Sequence, residues 1–252
     1  MIDALIEMLY LNNPLLFLFA GLAIGLIHAF EPDHLSAVST QLLKKSSRAM
    51  ISKNLNLRNL TVASSLRGVF WGMGHTSSII LIGLLVTGLS LSIPDNFFVG
   101  AEFVVGFMLI FLGVLTAKNR NIFKQKHIHP HKHPNGISHS HHHKHDGDHR
   151  HGHKAYLIGC VHGIAGSGSL VAIAVSTISG FDMALYFLSL FGVGSIIGMA
   201  VAGGILGLPF ILFPKIGAAI KYLRYVIAGF SLIIGFNIVF TIGFDNQLFL
   251  LS

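Results

Sequence analysis

Six stretches of the chain, roughly 14–42, 66–92, 97–117, 155–179, 183–208 and 222–243, are each long and apolar enough to cross a lipid bilayer. A span needs about 20 mostly apolar residues, so this succession points to a polytopic membrane protein. Composition agrees, with 52% of the 252 residues hydrophobic, 11% charged and a mean hydropathy of +0.70. Soluble domains are about 25% charged. The 28 glycines fit as well, because glycine lets membrane helices approach closely. The expected fold is all-α, with six transmembrane helices and a short segment, 210–221, at the interface before the last.

The basic residues predict the orientation. Lys44, Lys45, Arg48, Lys53, Arg58 and Arg67 fall on the first connection. Lys118, Arg120, Lys124, Lys126, Lys132, Lys144, Arg150 and Lys154 fall on the third, and Lys215, Lys221 and Arg224 on the fifth. Together they are all 17 Lys and Arg of the chain, while the opposite side holds Asp3, Glu7, Asp95, Glu102, Asp182 and Asp245. Cytoplasmic connections collect Lys and Arg. Both termini are therefore expected outside the plasma membrane, with 118–154 in the cytoplasm. Topology accounts for the net charge of +7, so the expected partner is a lipid bilayer and not nucleic acid. The opening MIDALIEMLY lacks the positive charge of a cleaved secretory signal. The single cysteine, Cys160, can form no disulfide within the chain and reads as a small hydrophobe.

The chain also repeats itself. GLIHAFEPDHLSAVST (25–40) matches GCVHGIAGSGSLVAIAVST (159–177), FWGMGHTSSIILIG (70–83) matches LFGVGSIIGMAVAG (190–203), and VVGFMLIFLG (104–113) matches IAGFSLIIG (227–235). The order is kept, so spans one to three correspond to spans four to six. Three is odd, which inverts one half relative to the other. Inverted repeats are a common build of secondary transporters, with the substrate at the interface of the halves. The expected organisation is a first membrane half at 1–117, a histidine-rich cytoplasmic loop at 118–154 and a second half at 155–252.

Within the first span lies HAFEPDH, residues 28–34. An Asp at a helix centre costs at least about 2.5–3.5 kcal/mol in a bilayer, and intramembrane ionisable groups default to a functional reading. On a regular helix His28, Asp33 and His34 point about 140° and then about 100° apart, so they share no face. Pro32 removes the N–H that would bond the His28 carbonyl, so a kink or break is expected there. A kink can gather the side chains and free carbonyls for a cation. The second span adds His75, between Gly74 and Thr76. Imidazoles with a carboxylate suit Ni²⁺, Co²⁺ or Zn²⁺, and such ligands bind only when deprotonated, so binding weakens in acid. The expected metal contacts are His28, Asp33, His34 and His75. Glu31 is either a partner of these ligands or a water-facing group, and His162 enters through its repeat equivalence to His28. Each has a plainer alternative: Asp33 and His34 as a mutual ion pair, His75 as a helix-packing hydrogen bonder.

HAFEPDH also matches the His-x-x-x-x-Asp-His signature of the nickel/cobalt permease family. With WGMGHTSSI and LIGCVHGIAGSGSL, it resembles that family's six-span branch, related to the urease accessory protein H transmembrane domain. The resemblance covers most of the membrane region. It implies metal recognition by His28, Asp33, His34 and His75. Eight-span members have an additional leading helix and commonly an Arg before the first signature histidine; here no leading helix is expected before the first span, and Ile27 stands at the place of the Arg.

Segment 127–153, HIHPHKHPNGISHSHHHKHDGDHRHGH, holds 12 of the 16 histidines. Its composition predicts disorder. It reads as a cytoplasmic metal buffer or sensor, His141, His142, His143 and His145 among its ligands, or else as a solubilising linker.

The expected function is uptake of Ni²⁺ or Co²⁺, since Asp33 follows the family's uptake pattern; uptake supplies urease or hydrogenase. Efflux, or a zinc transporter of another type, is the alternative. The metal is substrate, with no cofactor permanently bound, and a cytoplasmic nickel chaperone is a candidate partner. With no His-Glu-x-x-His and no nucleophile–base pair, an enzyme is not expected.

Overall fold

A computed structural model describes residues 14–49, 57–89, 93–118, 127–132, 138–143, 151–165, 178, 180–212 and 217–245. It contains α1 (Pro14–His28), α2 (Pro32–Ala49), α3 (Leu57–Gly88), α4 (Asp95–Ala117), α5 (His151–Ala165), α6 (Phe181–Leu212) and α7 (Gly217–Phe240), the last closing in a π-turn over Thr241–Asp245. Four helical stretches are long and apolar enough to cross a membrane: Thr61–Gly88, Asn96–Ala117, Phe181–Pro209 and Ala218–Phe244. The first expected span, 14–42, is not one helix but two, α1 and α2. Of the fourth, 155–179, the helical part described is α5. Of the segment 210–221, residues 210–212 end α6 and 217–221 open α7, while 213–216 lie outside the described residues.

Helix α3 lies at the centre and packs along both α6 and α5. Helix α1 lies on α6, α4 lies on α7, and α2 touches α7, α6 and α4. Glycines set the spacing. An added Cβ on Gly25 would strike the carbonyl of Phe191, and one on Gly159 would strike the carbonyl of Trp71. Likewise Gly194 rests on the carbonyl of Leu22, and Gly74 on that of Tyr156. These contacts come in pairs. Leu22 and Gly25 lie 134 residues before Tyr156 and Gly159, and Trp71 and Gly74 lie 120 before Phe191 and Gly194. The α1–α6 contact is thus repeated by α5–α3, between residues that the sequence repeat aligns. Self-complementary contacts of this kind are what two copies of one unit make about a two-fold axis.

Some polar groups of the bundle are satisfied across helices, as an apolar surrounding favours. Ser78 Oγ donates to the Cys160 carbonyl at 2.9 Å, and Ser231 Oγ to the Leu109 carbonyl at 2.8 Å. The periphery is oily, with Leu81, Phe107, Phe111, Ile233 and Phe236 all exposed. An apolar surface this extensive marks a lipid-facing exterior. Gly180 precedes α6 with φ +112°, a conformation that favours glycine, and its carbonyl accepts the Ala184 N–H at 3.2 Å.

One pair of described elements is not helical. His127–Lys132 (β1) and Ser138–His143 (β2) pair antiparallel, with His127 opposite His143 and His131 opposite His139. This corrects the expectation of disorder for those twelve residues. A ladder needs only backbone donors and acceptors, and low complexity in the side chains does not prevent it.

Candidate metal centre

Four histidines lie outside 127–153, namely His28, His34, His75 and His162, and the fold brings all four together. Their assembly begins with the break between α1 and α2. His28 ends α1, the Phe30 N–H bonds the Ile27 carbonyl at 2.9 Å, and the Glu31 N–H bonds the His28 carbonyl at 3.1 Å. Pro32 then opens α2 at a position where a missing N–H costs no hydrogen bond. The Leu35 N–H returns to the Glu31 carbonyl at 3.0 Å. The carbonyl that proline leaves unbonded is therefore taken by the chain itself, which departs from the expectation that it serves a cation. What the break does supply is direction: the His28 and His34 rings meet edge to face at 4.4 Å.

Two carboxylates orient the imidazoles. Glu31 Oε1 lies 2.9 Å from His28 Nδ1, although the Glu31 side chain is 47% exposed. Asp33 Oδ1 accepts the His34 backbone N–H at 2.8 Å and lies 2.7 Å from His34 Nδ1. Asp33 Oδ2 lies 2.8 Å from His162 Nε2 on α5. Ionised carboxylates only accept, so His28 Nδ1, His34 Nδ1 and His162 Nε2 carry the hydrogens. The opposite nitrogens then carry lone pairs. These are His28 Nε2, His34 Nε2 and His162 Nδ1, all buried with no hydrogen-bond partner among the described residues. Leaving a buried polar atom unpaired costs about 1–3 kcal/mol, and a carboxylate behind an imidazole with a free lone pair is the usual support of a metal ligand.

His75 on α3 completes the cluster, 5.4 Å from His28 and 5.0 Å from His34 between ring centroids. Small neighbours let α3 approach: the Gly163 Cα of α5 sits so close to the His75 backbone that an added Cβ would strike its carbonyl. Trp71, one turn earlier on α3, stacks on His75 at 5.6 Å and presents its ring at 5.2 Å to both His34 and His162. It closes one wall of the cluster, and sequence reasoning missed it. The available signal was its spacing of four from His75, which puts both on one helix face. Phe191, the residue that the repeat aligns with Trp71, lies 5.6 Å from His28. Ser195, aligned with His75, is buried beside Met199 and brings no imidazole.

The ligand atoms fall into two groups of three, His28–His34–His75 and Asp33–His34–His162, each within 4.8 Å of one another. Ligand atoms on one ion with bonds of about 2.1 Å lie at most about 4.2 Å apart, so small inward shifts would close either group. Of the loop histidines, His141, His142 and His143 belong to β2, and His145 lies outside the described residues.

Among curated proteins the chain is similar to the urease accessory protein UreH of Bacillus sp. (strain TB-90). The two are 32% identical over 234 residues, which is 91% of this chain and 92% of the relative. No family model matches the chain, and no solved structure matches it.

Proposed function

The chain belongs to the family of the urease accessory protein UreH, and from that premise we propose that it is a permease that carries a divalent transition metal, Ni²⁺ or Co²⁺, inward across the plasma membrane. One observation carries the proposal: every histidine outside the 127–153 segment converges on one buried cluster, where carboxylates hold three of the rings and the opposite nitrogens of those rings have no hydrogen-bond partner among the described residues. Imidazole with carboxylate suits borderline divalent metals. The resemblance to nickel/cobalt permeases and the urease-accessory name of the relative favour nickel. In this reading the halves form an inverted repeat, so His28 and its equivalent His162 bring ligands from both halves to one place. Transporters of that build hold substrate at such an interface. The termini lie outside and the histidine-rich segment inside, where it buffers metal and hands it to a cytoplasmic chaperone. The metal is cargo, and no chemical conversion is assigned to it.

Accumulation of radioactive nickel tests this directly. Cells with the wild-type protein should accumulate more than cells without it, and His28→Ala should abolish the difference. Lower accumulation with the wild-type protein would mean export. No difference between wild-type and protein-free cells would end the permease reading.

A further inference from the structure

Resting on that reading, we propose that the ion occupies two overlapping positions in succession, with His34 common to both, and that His162 is the ligand that receives it in the second half. The first position is His28, His34 and His75; the second is Asp33, His34 and His162. The two groups share one residue, and neither contains both His75 and His162. Those two rings stand 6.3 Å apart between centroids. Unless both rings turn toward each other, drawing them onto one ion would require α3 and α5 to close further. Backbone contact forbids that, since Gly74 already rests on the Tyr156 carbonyl, Gly159 on the Trp71 carbonyl and Gly163 on the His75 carbonyl. The ion must therefore give up His75 to gain His162.

His34 is built to serve both positions. It is fully buried between the groups, its Nδ1 edge turned to Asp33 and its Nε2 unpartnered. The first position offers three imidazoles, and the second replaces two of them with a carboxylate and an imidazole. The exchange is a ligand substitution with no redox change: two imidazoles leave the ion as Asp33 and His162 join it, and a ring that binds through the nitrogen facing Asp33 shifts its hydrogen to its opposite nitrogen. It moves the ion from groups wholly in the first half to one contributed by α5.

The test uses the full chain in nanodiscs for Ni²⁺ binding, read from Trp71 emission, and in proteoliposomes with an internal nickel dye for flux. Trp71 is the chain's single tryptophan, so loop histidines do not enter the binding signal. His162→Gln keeps an amide N–H for Asp33 but removes the imidazole lone pair. It should bind Ni²⁺ within about threefold of wild type while flux falls at least about tenfold. His75→Ala should lose at least about tenfold in affinity, and its flux with it. Equal affinity loss in the two variants would overturn the inference in favour of a single position holding both ligands. Wild-type flux in His162→Gln would overturn it by removing His162 from the path. Either result with active wild-type protein leaves the permease reading standing; absence of wild-type flux overturns both.

Discussion

At the scale of single residues, the centre depends on carboxylates that hold rings as much as on the rings themselves. Glu31→Gln weakens the acceptor behind His28 Nδ1, and Ni²⁺ affinity should fall about 10- to 100-fold, as measured by quenching of Trp71 emission. An unchanged affinity would mean that Glu31 merely faces water. Asp33→Asn should be worse, because one carboxylate serves two imidazoles and an amide cannot accept from both with equal geometry. His28, Asp33, His34 and His75 were legible in the sequence because ionisable groups in an apolar run are costly and need a reason. Trp71 was not, since an indole in an oily helix needs none. Nor could spacing reveal that Asp33 reaches His162, a contact across 129 positions that exists only once α5 docks on α3 and α4.

At the scale of elements, glycine sets the distance at which helices present their ligands. Gly159→Ala would place a methyl against the Trp71 carbonyl, which as backbone cannot yield. The variant should unfold at lower temperature, reflecting a cost of about 1–3 kcal/mol, and should bind Ni²⁺ more weakly because α3 and α5 must separate. Gly100→Ala is the control, with nothing within 4 Å of its added Cβ, and both melting temperature and affinity should stay at wild-type values. A Gly159→Ala protein that melts and binds like the control would contradict this packing. The break at Pro32 was legible because a missing N–H is a property of the residue. The fate of the His28 carbonyl was not, since it depends on how tightly the chain turns through Glu31. The paired strands in the histidine-rich segment were hidden for a related reason: their register is a backbone matter, and the composition predicts no structure at all.

At the scale of the whole molecule, two regularities carry the account. One is the expected placement of all 17 basic residues on alternate connections of a six-span chain. It predicts that alkaline phosphatase, active only outside the cytoplasm, works when fused after residue 252 and fails when inserted within 118–126; the reverse pattern would overturn the orientation. The other is the repeat, whose matches among apolar glycine-rich helices are individually weak. They gain force in three dimensions, where Gly25 on Phe191 and Gly159 on Trp71 prove to be the same contact made twice.

The histidines divide in the same way, twelve in one polar segment and four in the bundle. The central claim is that the four form the transport centre and the twelve are ancillary. The most direct test is a Ni²⁺ titration of Trp71 emission in protein whose twelve histidines at 127–153 are replaced by serine. The account predicts saturable quenching at one equivalent, equal to that of the unaltered chain, and its loss in the same protein carrying His28→Ala and His34→Ala. Quenching that disappears with the twelve, or persists without His28 and His34, would contradict it.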